Sequence, residues 1–156
     1  MMERLRTKFS ISKQLYREVL AEFFCTAILL FGGTSTVAQF VVSYRQTDEW
    51  VCVAMGWGIA LWLAVQMGMR ISEHLFSCRF LIFVAAQNAG AFMGALGTFI
   101  VYYDGINAYD GGTRQVTGPL ATAGIFATYP KPYLSTLGGF LDQVFGTAIL
   151  CLGVAT

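Results

Sequence analysis

The sequence predicts an all-α protein that crosses a membrane several times. Of its 156 residues, 56% are hydrophobic and only 12% are charged, whereas a soluble domain carries about 25% charged residues. Three uncharged runs, Phe23 to Tyr44, Val51 to Met69 and Phe80 to Tyr103, contain 22, 19 and 24 residues. About 20 apolar residues are enough for an α-helix to cross a bilayer. These observations exclude an ordinary cytosolic domain and favour a polytopic helical bundle.

Four membrane spans are predicted in order along the chain. Their approximate positions are residues 20–42, 51–69, 80–103 and 133–156. Residues 1–19 form a leader, and residues 20–156 form the membrane domain. The first apolar run is too long for a signal-peptide core and is followed by further spans, so we expect a retained helix. The fourth span contains one charge, Asp142, and we expect it to be incomplete.

Lysine and arginine are distributed unevenly between the two ends of these spans. The cations predicted on the N-terminal side are Arg4, Arg6, Lys8, Lys13, Arg17, Arg70 and Arg79, and those on the opposite side are Arg45, Arg114 and Lys131. Cytoplasmic segments carry the excess of such residues in membrane proteins. The sequence therefore predicts a cytoplasmic N-terminus and an outer loop of residues 104–131. The leader cations are also expected to contact anionic membrane lipid.

Several polar side chains lie within the predicted spans, where each needs a physical explanation. They are Glu22, Gln39, Gln66, Gln87, Asn88, Asp142 and Gln143. Two explanations remain open for the carboxylates Glu22 and Asp142. Either group reaches the lipid–water interface from a helix end, or it faces a partner or a wet cavity.

Glycines and one tryptophan indicate how the spans pack. Gly90, Gly94 and Gly97 have the spacing that lets helix backbones approach closely, which indicates packing rather than a function. Trp57 is flanked by glycines and is the seventh of 19 residues in its run, rather deep for an interfacial belt residue. A ring with room around it is favoured over a belt position. The outer loop of 28 residues is poor in charge, which favours a segment folded over a vestibule.

The sequence shows no set of residues typical of an enzyme. It contains no nucleophile–base constellation, phosphate-binding glycine loop or His/Cys metal cluster. We therefore predict no enzyme activity, no cofactor and no metal. The net charge of +1 and the lack of a basic stripe exclude a nucleic-acid partner. The residues alone leave a channel, half of a transporter and a structural four-span protein as alternatives.

Several stretches resemble the aquaglyceroporin branch of the aquaporin family, the channels for glycerol and water. They occur in family order over nearly the whole chain. They are AEFFCTAILLFGG (21–33), GWGIAL (56–61), FVAAQNAGAFMGA (83–95), GIFATYPKP (124–132) and DQVFGTAIL (142–150). The resemblance implies a partial aquaporin-like fold with three complete transmembrane helices and an incomplete fourth.

The joint between the second and third spans departs from the family pattern. In the family, Ser-Gly-x-His-Leu-Asn-Pro-Ala leads into a half-helix that dips into the membrane. Ser72, His74 and Leu75 resemble the start of this motif, but Leu75 is followed directly by FSCRF. The first Asn-Pro-Ala segment is missing, and the family's second half is expected to be absent as well. A solvated histidine in a cytoplasmic turn is the favoured interpretation of His74.

The resemblance also implies roles for particular residues. Trp57 matches the position of an aromatic wall of the selectivity filter, while Glu22, Gln143 and His74 match residues that brace the re-entrant loops. Glu22 and Gln143 are expected to lack their family partners in this chain. Tyr129, Pro130 and Pro132 match the outer vestibule loop of the glycerol-conducting branch.

The function implied is a channel for glycerol, other small neutral solutes and water, in the plasma membrane. Because the Asn-Pro-Ala segment is missing, this truncated form is expected not to conduct on its own. Family members assemble as tetramers, so the alternative is a non-conducting regulatory subunit that associates with full-length relatives, as a homo- or hetero-tetramer.

Overall fold

The computed structural model describes residues 14–46, 48–68 and 80–155, and all regular elements within them are helical. The elements are α1 (Gln14–Val42), α2 (Trp50–Gly68), α3 (Phe80–Val101), α4 (Tyr103–Asp110), a 3₁₀ turn (Ala123–Ile125) and α5 (Thr136–Ala155). Four of these helices are long and apolar enough to cross a membrane. The predicted all-α membrane fold is therefore confirmed.

The helices differ in detail from the predicted spans. The helix α1 begins at Gln14, inside the predicted leader of residues 1–19. The helix α3 ends at Val101, and the short α4 begins at Tyr103. The predicted outer loop, 104–131, thus contains most of α4 and the 3₁₀ turn. The leader residues 1–13 and the joint 69–79 lie outside the described part of the chain.

The chain divides into two compact units, Met1–Phe126 and Ala127–Thr156. The second unit is built around α5, which begins with a side-chain cap. The Ser135 hydroxyl accepts a hydrogen bond from the Gly138 amide at 3.1 Å, and such a cap satisfies one of the free N–H groups of a first helical turn. Most of the apolar side chains of α5 are exposed, as expected on a helix that faces lipid.

In the first unit, α3 packs against α1 through a stripe of small residues. Ala86, Gly90, Gly94 and Thr98 are the buried residues of α3, and they recur every fourth position. A Cβ atom added at Gly90 would collide with the carbonyl oxygen of Phe23 on α1. Small residues at this spacing allow two backbones to approach closely enough for extensive van der Waals contact. The two helices therefore touch backbone to backbone.

At three places in the contact between α1 and α2, a glycine of one helix lies against a side chain of the other. The ring of Trp57 lies where a Cβ atom on Gly33 would be, and a Cβ atom on Gly56 would collide with Thr36. Gly32 faces Ala60, whose Cβ atom lies 2.8 Å from the position of an added Cβ atom. The helix α1 thus contacts α2 and α3 through different glycines.

A small apolar core lies at the end of the first unit where α1 stops. Ala38, Ile106 and Ile125 are buried together there, joining α1, α4 and the 3₁₀ turn. The chain leaves α1 through a Schellman motif, in which the Arg45 amide bonds the Phe40 carbonyl at 3.2 Å and the Tyr44 amide bonds the Val41 carbonyl at 3.1 Å. Tyr44 and Arg45 both have left-handed backbones, with φ of 53° and 62°.

We expect Gly90→Ala to lower the free energy of unfolding by about 1–3 kcal/mol, the usual cost of overpacking. The added methyl group would press on the Phe23 carbonyl, which belongs to the backbone of α1 and has little freedom to move. Gly58→Ala is the matched control, because nothing lies within 4 Å of a Cβ atom there. Alanine should be neutral or stabilising at that position. Thermal unfolding in detergent would measure both changes, and equal midpoints for the two variants would contradict the packing described.

Candidate functional site

A hydrogen bond joins two polar side chains on α1 and α3. The Gln87 side-chain nitrogen Nε2 donates to Oε2 of Glu22 at 2.7 Å. Glu22 was expected to lack its family partner, and within this unit its carboxylate has a partner from another helix. A shared hydrogen bond lowers the cost of placing a carboxylate and an amide in a membrane.

Three hydroxyl groups form a second polar contact between the same helices, here called the hydroxyl cluster: Thr34, Ser35 and Thr98. The hydroxyl oxygens of Thr34 and Thr98 are 2.6 Å apart, and those of Ser35 and Thr98 are 3.1 Å apart. Thr98 is fully buried, and its hydroxyl is also 3.1 Å from the Phe31 carbonyl. Hydroxyl groups shared between helices stabilise their association in a membrane.

Trp57, the candidate filter residue, lies at the contact between α1 and α2. Its ring is half-buried and covers Gly33. The glycines beside it in the sequence differ in their surroundings: Gly56 faces Thr36, whereas Gly58 faces open space. The space that the Trp57 ring occupies is therefore left free by Gly33 on the neighbouring helix.

Three further candidate residues lie at the α1–α3 contact and on α5. Gly94 lies against the Ala27 carbonyl oxygen of α1, and Gly97 faces the Phe31 ring, 3.0 Å from an added Cβ atom. Gln143 lies on α5, where its Nε2 donates to Oδ2 of Asp142 at 3.3 Å.

The vestibule candidates Tyr129, Pro130 and Pro132 are exposed residues of the second unit. His74 lies outside the described residues. Where the chain is described, no group of three or more His, Cys, Asp or Glu side chains is arranged to hold a metal ion.

A charged cluster organises the segment between α4 and the 3₁₀ turn in the first unit. This Asp110 cluster consists of Asn107, Asp110, Arg114 and Thr122. Both carboxylate oxygens of Asp110 accept hydrogen bonds from Nη1 of Arg114 at 2.8 Å, and the Thr122 hydroxyl donates to Oδ2 at 3.0 Å. Arg114 also donates to Oδ1 of Asn107 at 2.6 Å. The cluster therefore ties the end of α4 to the residue before the 3₁₀ turn.

Two aromatic rings hold the guanidinium of Arg114 in place. Its Cζ atom lies 5.5 Å from the ring centroid of Phe99 and 5.8 Å from that of Tyr103. An arginine over an aromatic face is attracted by the ring quadrupole. The Asp110 cluster is thus anchored on the end of α3 as well as on α4.

The surroundings of Asp110 lower the pKa of its carboxyl group. Burial opposes the charged form, but hydrogen bonds from Thr122, from the Gly112 amide and from Arg114, with the positive charge of Arg114, outweigh burial. A carboxyl group whose folded pKa is lowered stabilises the fold at pH values above its unfolded pKa. That contribution is lost as the pH falls below about 4 towards the folded value.

Sequence reasoning missed the hydroxyl cluster and the Asp110 cluster. Thr34, Ser35 and Thr98 are nearly neutral in hydropathy and do not stand out among apolar residues. A signal was nevertheless present, because Ala86 and Thr98 continue the four-residue spacing of Gly90 and Gly94. The Asp110 cluster had a weaker signal, an Asp–Arg pair four positions apart, which is common on protein surfaces.

These features define a helical integral membrane protein in which small residues bring α1 and α3 together. The sequence matches the family described as Major intrinsic protein over residues 9–156. It is 38% identical to aquaporin-9 of Rattus norvegicus, over 97% of this chain and 55% of that protein. It is 36% identical to aquaporin-10 of Homo sapiens over 92% of this chain and 53% of that protein. It is 34% identical to aquaglyceroporin-2 of Rhizophagus irregularis over 86% of this chain and 48% of that protein.

The chain belongs to the major intrinsic protein family, whose members are channels rather than enzymes. The predicted resemblance to the aquaglyceroporin branch is confirmed. The chain spans about half the length of the curated relatives it matches. The alignment with rat aquaporin-9 covers 167 positions, more than the 156 residues of this chain. That relative therefore has residues at internal positions where this chain has none.

We expect Thr98→Val to lower the free energy of unfolding by about 1 kcal/mol, as for other hydroxyl contacts between membrane helices. The change keeps the shape of the side chain but removes the hydroxyl that Thr34 and Ser35 share. Thr36→Val is the matched control, since the Thr36 hydroxyl bonds only the Gly33 carbonyl of its own helix in the described structure. Thermal unfolding in detergent compares the two, and a larger loss for Thr36→Val would count against the hydroxyl cluster.

We expect Asp110→Asn to raise the rate of backbone amide hydrogen exchange in residues 111–126 by about 10-fold at pH 7. The reason is that the charged hydrogen bonds from Arg114 and Thr122 to the carboxylate would be lost. The wild-type protein should lose the same protection as the pH falls below about 4, and the variant should show no such transition. Hydrogen exchange corrected for intrinsic rates measures both. Asp104→Asn, at an exposed position of α4, is the control and should behave like wild type at pH 7. An unchanged pH profile in Asp110→Asn would contradict the role of this carboxylate.

Proposed function

We propose that this chain is an aquaglyceroporin polypeptide, and that the complete channel to which its sequence corresponds passes glycerol, other small neutral solutes and water. The observation that carries the proposal is Trp57. This residue matches the family's aromatic filter position, and its ring is held against Gly33 by the packing of α1 and α2. An aromatic wall contacts the carbon backbone of a polyol, while other groups of such a filter bind its hydroxyls.

The 156-residue polypeptide itself does not conduct, in this proposal. A family pore excludes ions by the positive ends of two opposed half-helices, and Leu75 is followed by Phe76 where the first Asn-Pro-Ala segment would begin. The Glu22 carboxylate, which matches a residue that braces a re-entrant loop in the family, here accepts a hydrogen bond from Gln87. Gln143 and His74 are the other proposed braces, and Tyr129, Pro130 and Pro132 are proposed to belong to the outer vestibule.

The proposed orientation follows the distribution of cations. The N-terminus is cytoplasmic, and α4 with the 3₁₀ turn lies on the outer side of the plasma membrane. This arrangement places the Asp110 cluster and the end of α1 in contact with the external solution.

A second candidate function is that of a non-conducting regulatory subunit in a homo- or hetero-tetramer. It is supported by a row of exposed apolar residues on α2. The row comprises Val51, Met55, Ile59 and Trp62, each at least 56% exposed. Such a row fits either lipid or another subunit. Co-purification with a full-length relative from the same membrane would support the second candidate, and failure to associate would exclude it.

Conduction is tested by reconstituting this polypeptide in liposomes and following glycerol uptake after an osmotic step. We expect the rate of empty liposomes for the wild-type chain and for Trp57→Ala, because neither contains the first Asn-Pro-Ala segment. A full-length aquaglyceroporin in the same lipid is the positive control. Uptake above background that Trp57→Ala abolishes would overturn the non-conducting proposal while supporting the filter role of Trp57.

Sequencing the transcript across the Leu75–Phe76 junction tests whether the first Asn-Pro-Ala segment is absent from the natural message. An Asn-Pro-Ala segment found there would make this chain part of an ordinary glycerol channel. A transcript that joins as written would leave the poreless polypeptide as the product.

A further inference from the structure

A cleft of about 320 Å³ lies in the first unit, where the end of α1 meets α4 and the outer loop. It is lined by Val41 of α1, by Tyr44 and Arg45 in the turn after α1, by Tyr109 of α4, and by Gly118 and Pro119 of the loop. Its volume is within the range of small-molecule sites, and such sites combine apolar walls with a few placed polar groups. None of these residues belongs to the candidate pore.

Arg45 is the charged residue among the described residues that line the cleft. Its Cζ atom lies 5.6 Å from the ring centroid of Phe40, and that ring meets Trp50 edge to face at 5.5 Å. Stacking on one face restrains a guanidinium but leaves its in-plane N–H donors available for a carboxylate.

The charge of Arg45 is not neutralised within the described part of the chain. The carboxylates Asp48 and Glu49 follow it in sequence, but neither forms an ion pair with it there. Asp110, the neighbour of Tyr109, is already paired with Arg114. Arg45, which lines the cleft, therefore carries a positive charge that no described carboxylate pairs.

Two of the residues that line the cleft, Tyr44 and Tyr109, have side-chain rings that pack against each other. The ring centroids of Tyr44 and Tyr109 are 4.8 Å apart, with 39° between the ring planes. The Tyr109 hydroxyl donates to the Pro119 carbonyl at 3.3 Å, which ties this ring to the loop. Tyr44 is 58% exposed, so the pair still offers aromatic surface on which a flat apolar ligand can lie.

The backbone at Tyr44 and Arg45 is unusual for such residues. Both have positive φ, 53° and 62°, a conformation that side chains with a Cβ atom disfavour. Glycine normally occupies the first of these positions in a Schellman motif. Unfavourable backbone of this kind is concentrated at ligand sites and switch regions, so it agrees with a binding role for the two side chains.

We propose that this cleft binds small organic carboxylates with a flat apolar body, such as aromatic carboxylates. The ring of the ligand would lie against Tyr44 and Tyr109, and its carboxylate would accept hydrogen bonds from Arg45. A benzene ring fits an engineered cavity of about 150 Å³, so the cleft accommodates a substituted ring. The charge on Arg45 distinguishes this ligand class from the neutral solutes proposed to permeate the channel.

The test uses the whole polypeptide in lipid nanodiscs, where both faces are accessible and membrane orientation does not matter. Benzoate and benzyl alcohol are titrated by ligand-observed NMR at low salt, because they share a ring and differ in charge. We expect benzoate to bind at least about 10-fold more tightly, in line with the strength of charge-assisted bonds. Arg45→Gln should weaken benzoate binding by about the same factor, and Arg45→Lys should weaken it less. Lys131→Gln, at an exposed cation of the second unit, is the control and should leave it unchanged.

Three results would overturn the proposal. They are equal affinity for benzoate and benzyl alcohol, benzoate binding that Arg45→Gln leaves unchanged, and displacement of benzoate by an equal concentration of glycerol. The last result would assign the cleft to neutral polyols. If Arg45→Gln does not fold, the comparison of the two ligands on the wild-type protein still decides. Failure of benzoate to bind would leave the proposed channel function untouched, because liposome uptake is measured separately.

Discussion

The backbone contact between α1 and α3 is the constraint on which the rest of the first unit depends. Lipid is as apolar as leucine, so helices in a membrane are not driven together by the hydrophobic effect. They associate through close packing, and close packing requires residues without large side chains at the crossing. Gly90 and Gly94 meet this requirement against the carbonyl oxygens of Phe23 and Ala27. Without them, the two backbones would be held apart by the width of a side chain.

The polar contacts between these helices are a consequence of that short separation. A threonine hydroxyl extends only two bonds from its backbone, so Thr34 and Thr98 meet at 2.6 Å because the backbones are already close. The longer side chains of Glu22 and Gln87 meet on the same two helices. In a membrane, each of these groups would be unfavourable alone. The close packing and the hydrogen bonds therefore stabilise the same helix pair, and a change at the glycines would disturb both.

The sequence was sufficient for features that depend on composition and on spacing within one helix. Three uncharged runs and a fourth run with a single charge located four helices, and the pattern of Gly90 and Gly94 indicated a packing face. Features that depend on two helices could not be predicted in this way. The glycine that meets Trp57 is Gly33, on α1, rather than the glycines next to it in sequence. Asp110 is buried because Thr122 and Gly112 provide donors from a loop whose path the sequence does not show.

The family resemblance added what spacing alone could not, namely the channel class and the likeness of Trp57 to a filter residue. It did not indicate the partner of Glu22, because the family partner belongs to a segment that this chain does not match. Gln87 was visible among the polar residues of the third span, but its pairing with Glu22 depends on the crossing of α1 and α3. The small-residue stripe on α3 does not by itself show which residues of α1 it contacts. The pairing of Glu22 with Gln87 therefore became visible only in the structure.

The end of the first unit that contains α4 and the 3₁₀ turn is held by interactions that do not involve the candidate filter residue Trp57. The apolar core of Ala38, Ile106 and Ile125 joins α4 and the 3₁₀ turn to α1. The Asp110 cluster adds charged hydrogen bonds to this core, and Arg114 stacks on rings at the end of α3. Because none of these contacts involves the joint between α2 and α3, the absence of an Asn-Pro-Ala segment there does not remove them. The proposed binding at the cleft therefore does not depend on the presence of a pore.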